Sequence, residues 1–297
     1  MNMELLVIFL ILILIVVIAA AVEIHRELHH FCVTEYNVSC PKLTGLRDNA
    51  TLVFLSDLHN CTYGRDNAAL LQAVRNAGAD LILIGGDMLV GKEDTDFQPA
   101  LDLVKQLPQI APVYYALGNH EGRMKEEPED YGHAYEHFKA AAEEAGVHFL
   151  ENETARINCR GKFIDLSGLE LPVRTYRKFR KAAVTPETVA DCLGRQENPA
   201  RGPFRILLAH NPAYMDAYLG WGADLVLSGH LHGGLMRIPG LGGIVTPQGF
   251  LFPKYSGEMT REGDRTVIVS RGLGTHTLNI RLFNMPELIV IRLKKTL

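Results

Sequence analysis

The sequence predicts an α/β domain carried behind one N-terminal membrane-spanning helix. Three observations lead there: an uncharged run from Leu5 to Val22, five short runs rich in Val, Ile and Leu, and helical patterns between those runs. Strand–helix alternation of this kind is the pattern of an α/β layer architecture. Of the 297 residues, 47% are hydrophobic and 22% charged, which suits one large globular domain. The net charge of −4 indicates no nucleic-acid partner. Five scattered cysteines without a C-x-x-C pair indicate neither a zinc knuckle nor a disulfide scaffold.

The first run reads LLVIFLILILIVVIAAAV. At ~1.5 Å per residue it is long enough to cross a hydrocarbon core of roughly 30 Å. A secretory signal is the rival reading, with Ala19, Ala20 and Ala21 as its cleavage site. No Lys or Arg precedes the run, however, and the run outlasts a usual signal core. It is therefore read as an uncleaved single-pass anchor in the cell membrane, with residues 1–25 as anchor and 30–297 as the domain. Arg26, Lys42 and Arg47 follow the span and nothing basic precedes it, which favours the cytoplasmic side for the bulk of the chain.

Past the anchor, FCVTEYNVSCPKL alternates and predicts an edge strand. Buried strands are predicted at TLVFLSDLH, ADLILIGGD, PVYYALGNHE, FRILLAHNP and ADLVLSGHLHGG, each too apolar for a one-sided strand. Helices are predicted at AALLQAVRNA, capped by Asp66 or Asn67 and ended by Gly78, and at ALDLVKQL, opened by Pro99. Further helices are predicted at AYEHFKAAAEEAG, ended by Gly146, and at ETVADCLG, capped by Thr185-Pro186.

Each buried run closes on metal-binding groups: Asp57 and His59, Asp87, Asn119 and His120, His210, then His230 and His232. Singly, a histidine after a strand is commonplace; five strand ends in succession with such groups are not. In open α/β sheets ligands bind beyond the carboxyl ends of the strands, so these groups would gather in one place. In an extended chain residues i and i+2 point to the same side, so Asp57 with His59, and His230 with His232, can serve one region. Carboxylate, carboxamide and imidazole without thiolate suit Mn, Fe or Zn. Asp57, His59, Asp87, Asn119, His210, His230 and His232 are too many for one tetrahedral ion and suit two divalent metal ions sharing a carboxylate.

The ordered pattern DLH…GGD…GNHE…AHNP…GHLHGG resembles the calcineurin-like metallophosphoesterase family, and QGFLFPKYSGEM with SRGLGTHTLNIRLFNMPEL resembles its membrane-anchored bacterial branch. The resemblance implies two mixed β-sheets packed face to face with flanking helices. It implies that Asp57, His59, Asp87 and His232 hold one metal, and that Asp87, Asn119, His210 and His230 hold the second, Asp87 bridging. Two such ions about 3.5–4 Å apart hold a bridging water, lower its pKa and clamp the phosphoryl oxygens. For His120, beside Asn119, the resemblance implies a general-acid or transition-state-stabilising role, the alternative being a hydrogen-bonding group that only orients a ligand; Glu121 is expected to be a support.

The expected substrate is a phosphomonoester or phosphodiester, lipid- or nucleotide-linked near the bilayer. The alternative is a non-catalytic metal-binding scaffold or interaction protein of the same fold, from which site residues are usually lost; here they are all present. His276, in a glycine loop, is a further candidate for substrate contact. Arg174, Arg177, Lys178 and Lys181 fall on one face if their segment is helical; that face is read first as solvated, the functional alternative being a surface for anionic headgroups of the lipid bilayer or an acidic substrate beside it.

Overall fold

Alternation within the apolar runs decides which way each strand faces. A computed structural model of the chain describes residues 3–92, 95–199, 201–234, 237–238, 242–275 and 279–295. The strands are β1 (Cys32–Val38), β2 (Ala50–Leu55), β3 (Leu81–Ile84), β4 (Val113–Tyr115), β5 (Val147–Phe149), β6 (Glu153–Cys159) and β7 (Lys162–Leu169). They continue with β8 (Phe204–Ala209), β9 (Leu225–Ser228), β10 (Arg237–Ile238), β11 (Gly242–Gly243), β12 (Met259–Glu262), β13 (Arg265–Val269) and β14 (Glu287–Leu293). The helices are α1 (Met3–His29), α2 (Ala68–Ala77), α3 (Gln98–Val104), α4 (Asn119–Glu126), α5 (Pro128–Tyr131), α6 (Ala134–Glu144), α7 (Pro186–Leu193) and α8 (Met215–Trp221).

Two six-stranded sheets form, in the orders β1-β14-β2-β3-β4-β5 and β12-β13-β9-β8-β7-β6. Both are mixed: β2 to β5 run parallel with β14 antiparallel beside them, and β7, β8, β9 and β13 run parallel between antiparallel β6 and β12. Leu52 and Phe54 of β2 pack with Ile206 and Leu208 of β8 in a core shared by the two sheets. The alternate residues Val53 and Leu55 turn outward against α2, α3 and α6. On the far side Leu207, Val226 and Val267 pack under α7 and α8. The sheets therefore lie face to face with helices outside, and the carboxyl ends of β2, β3, β4, β8 and β9 meet at one edge.

Local expectations largely match. β1 is an edge strand with alternating burial. Gly78 closes α2 in the left-handed conformation, Pro99 lies in the first turn of α3, and the Thr185 hydroxyl caps α7 by accepting from Thr188 N. Asn67 precedes α2 without capping it; its Oδ1 accepts from Tyr63 N instead, at 2.9 Å.

Two features differ from the expectation. The basic segment 174–181 is not a helix: one 3-10 turn spans Val173–Tyr176, and Arg177 then turns to extended backbone at φ −60°, ψ 138°. Arg174, Arg177, Lys178 and Lys181 thus share no helical face. The second is α1, which is bare of packing over its apolar window but runs unbroken through the expected boundary at 25–30. Its last turns touch the domain, where the buried Glu27 carboxylate accepts from Asn284 N at 2.9 and 3.0 Å.

Candidate metal centre

The chain leaves each buried strand in a sharp turn that points its polar residue at a common centre. Asp57, His59, Asp87, His230 and His232 all adopt positive φ, between 49° and 67°. Non-glycine residues seldom do so, and such strain persists where surrounding structure holds it. The β2 and β3 loops brace each other: Asp57 N, His59 N and Asn60 N donate to Gly86 O, Asp87 O and Met88 O. Close approach also needs glycine: a Cβ on Gly118 would collide with Asp87 Oδ1, and one on Gly229 with Asp57 Oδ2.

Of the nine predicted site residues, Asp57, His59, Asp87, Asn119, His120, His210 and His230 are buried, and His232 is nearly so. Three triplets of ligand atoms each lie within 4.8 Å: Asp57–His59–His232, Asp87–His210–His230 and His59–Asp87–His120. His210 Nε2 is 3.0 Å from Asp87 Oδ2 and 3.8 Å from Asp57 Oδ1; His232 Nε2 is 3.3 Å from Asp57 Oδ1. His276 lies outside the described residues.

The hydrogen-bond partners assign the ring protons. His59 Nδ1 faces Leu89 O at 3.2 Å, His210 Nδ1 faces Gly85 O at 2.6 Å, and His232 Nδ1 faces Gly274 O at 2.9 Å. A carbonyl only accepts, so each Nδ1 carries a proton, and Nε2 is the atom whose lone pair each ring, when neutral, turns to the centre. The Nε2 atoms of His59 and His232 meet at 3.0 Å. The Asn119 Oδ1 is buried without a hydrogen-bond partner among the described residues. Lone pairs meeting lone pairs beside two carboxylates fit cations, and the donor set is oxygen and imidazole nitrogen.

The model of calcineurin-like phosphoesterases matches residues 50–234. The chain belongs to that family. Phosphodiesterase YaeI of Escherichia coli (strain K12) is 26% identical over 262 residues, 85% of this chain and 86% of the relative. The uncharacterized metallophosphoesterase YkuE of Bacillus subtilis (strain 168) is 26% identical over 276 residues, 91% and 88% of the two chains. The 5'-nucleotidase precursor of Thermus thermophilus aligns at TM-score 0.46 and 16% identity, over 84% of this chain and 55% of that one.

The two carboxylates and the His210 ring shift one another strongly. Burial pushes Asp57 up to about 7. Burial also works to raise Asp87, but the His210 imidazole beside it holds the carboxyl well below its ordinary value. Burial alone would lower His210; the Asp87 and Asp57 carboxylates override it and carry the ring up to about 10.

His120 is built the other way round. Gly91 N donates to its Nδ1 at 2.8 Å, so the ring proton sits on Nε2. Burial lowers its pKa and keeps the ring neutral. Glu121 props the same corner: its carboxylate accepts from Asp87 N, Met88 N, Leu89 N, Gly118 N and the Tyr115 hydroxyl.

The site opens into a cleft of about 460 Å³ lined at the metal-binding residues by Asn119, His120, His230 and His232, and also by Arg123 and Lys178. Sequence reasoning missed several supports. Ser56 Oγ donates to Asp57 Oδ2 at 2.6 Å. Tyr176 presents its ring edge-on to His230, centroids 5.0 Å apart. The fully buried Arg281 donates to Gly274 O at 2.7 Å, the carbonyl that His232 uses, and Asn284 Nδ2 holds His232 O at 2.6 Å. Ser56 is adjacent to a motif and could have been suspected. Arg281 and Asn284 lie about 50 residues from His232 and carry no local signal.

Proposed function

We propose that this phosphoesterase is a membrane-anchored, dinuclear metal-dependent hydrolase of a phosphodiester or phosphomonoester. Asp57, His59, Asp87 and His232 would hold one divalent ion and Asp87, Asn119, His210 and His230 the other, Asp87 bridging. The observation that carries this reading is the opposed tautomers: when neutral, His59, His210 and His232 turn lone pairs inward, whereas His120 turns an N–H inward.

When bound, the ions supply Lewis-acid charge and an activated water at neutral pH. The protein does the rest. His120 Nε2–H donates to the oxygen that gains charge as the ester bond breaks, a general-acid or charge-stabilising role. A ring in that tautomer cannot ligate through Nε2, which argues against His120 as a ligand despite its place in one triplet. Arg123 and Lys178, which line the cleft, suit the phosphoryl charge. The name of the Escherichia coli relative favours a diester. The 27-residue helix α1, its apolar window unpacked, supports membrane anchoring, with a lipid- or nucleotide-linked substrate close at hand.

The test uses the full chain in detergent, stripped by chelator and reloaded with Mn²⁺, Fe²⁺ or Zn²⁺. Two equivalents of metal are expected, with turnover of an aryl phosphodiester and a weaker or stronger rate on the monoester. Full turnover with one equivalent removes the dinuclear assignment. Two bound equivalents without turnover on either ester favour a scaffold. Retention in membranes after an alkaline carbonate wash tests the anchor.

A further inference from the structure

Three phenylalanines occupy backbone conformations that bulky residues rarely adopt: Phe179 at φ 55°, Phe252 at 45° and Phe283 at 54°. All three are exposed, at 76%, 58% and 59%. An aromatic ring held out in water by a strained backbone is doubly unfavourable in the isolated domain. Such outliers point from strain to function.

Their places in the fold are as informative. Phe179 N donates to Gln248 O, Phe250 O accepts from Thr246 N, and Phe252 N donates to Ile244 O, so the 179 strap and the 250–252 turn form one wall of the cleft that Thr246 and Gln248 line. Leu251 on that turn is 64% exposed. Phe283 stands in a second segment of the cleft lining, in sequence between cleft residues Arg281 and Asn284, with half-exposed Ile280 nearby. Two segments beside a polar, buried site thus expose apolar side chains.

That second segment is bolted to α1. Asn284 N donates to Glu27, which lies five residues beyond Val22, the end of the apolar run. At 1.5 Å per residue this is about 8 Å of helix, within the headgroup layer that flanks the hydrocarbon core. Charge agrees: Lys178, Arg180 and Lys181 flank Phe179, all exposed, and residues 174–182 hold no acid. Aromatic side chains among basic ones are the composition of an interfacial contact.

We infer that the cleft rim is a bilayer-docking surface: Phe179, Leu251, Phe252 and Phe283 enter the headgroup region of the membrane that α1 crosses, while Lys178, Arg180 and Lys181 meet anionic lipid. The inference rests on reading α1 as a membrane anchor. It gives the basic segment a role that needs no helical face. It also puts the cleft mouth at the interface, so a phosphoester carried by a lipid reaches the metal-binding floor without leaving the bilayer.

The test places tryptophan reporters in the full chain: Phe252→Trp and Phe283→Trp at the rim, and Phe163→Trp as control. Phe163 is also exposed but sits near the amino end of β7, away from the carboxyl ends that carry the site. The buried Trp221 is common to all three and forms the baseline. Each variant is reconstituted into vesicles of phosphatidylcholine and phosphatidylglycerol with brominated acyl chains. Loss of emission at 252 and 283, with none at 163, is the expected result. Rim emission quenched no more than the control overturns the proposal, and a blue shift without quenching overturns it in favour of a protein partner on this face. If a carbonate wash strips the chain from vesicles, the anchor reading fails by itself. Quenching is then read on protein added to preformed vesicles, where its presence sustains the rim and its absence overturns it.

Discussion

The floor and the rim of the cleft use the same backbone device to opposite ends. On the floor, Asp57, His59, Asp87, His230 and His232 take positive φ and turn inward, where hydrogen bonds from neighbouring loops hold them. At the rim, Phe179, Phe252 and Phe283 take positive φ and turn outward into water. The floor's strain is matched inside the protein, by Glu121, by Ser56 and by the carbonyls that orient the imidazoles. The rim's strain points to something outside. Substitutions should therefore separate the two regions: floor changes act on chemistry and metal, rim changes on neither.

The largest effect should come from the floor's shared carboxylate. Asp87→Asn removes the proposed bridge, and metal analysis should find both ions depleted. Turnover should fall by more than the roughly 10²–10⁴-fold typical of a lost general acid. Retention of two metals with modest loss would break the assignment of Asp87.

Next comes His120→Ala. Both metals should remain while turnover falls about 10²–10⁴-fold on an alkyl ester, and far less on an activated aryl ester that leaves without protonation. Equal losses on the two esters would mean charge stabilisation and not proton donation. Lost metal would make His120 a ligand and contradict the Nε2–H tautomer. Nitrogen NMR of the metal-free protein sharpens the point: His120 should show a protonated Nε2, opposite to His59 and His232.

Smaller again is Glu121→Gln, which weakens the acceptor for the backbone amides of Asp87 to Leu89. A tenfold to hundredfold drop in metal affinity is expected, in the range of lost supporting hydrogen bonds, with turnover recovered at saturating metal. The floor should also show pH linkage. His210, raised to about 10 without metal, must shed its proton before Nε2 can ligate. Metal affinity should accordingly rise with pH across the neutral range, with proton release visible by calorimetry in buffers of different ionisation enthalpy. Pure pH independence would show that His210 is neutral beforehand.

The smallest effect belongs to the rim. Phe252→Gly and Phe283→Gly relieve a left-handed residue and remove a ring that is more than half exposed. Stability in detergent should stay level or rise by about 1 kcal/mol, with turnover of a soluble ester unchanged. Destabilisation by several kcal/mol would mean that these rings pack against the domain.

Much of this was open to reading along the chain. Strand ends announce themselves because an apolar run must stop where its polar residue begins, so Asp57, Asp87, Asn119, His210 and His230 could be found one by one. The helical face for residues 174–181 failed because i, i+3, i+4 spacing states only what a helix would do, and nothing in VRTYRKFRKAA supplies the packing that stabilises one. The contact of Glu27 was hidden for a related reason: its partner Asn284 lies 257 residues away along the chain.

The sequence by itself determined the order of strands and helices, the apolar span and the residue types that converge, because periodicity and donor chemistry are local properties. Which nitrogen of each histidine carries the proton, on which the proposed division into ligands and a donor rests, was decided only by the tertiary structure. That choice depends on whether a carbonyl or an amide lies opposite Nδ1, and the partners of His210 and His120 come from loops 125 and 29 residues away.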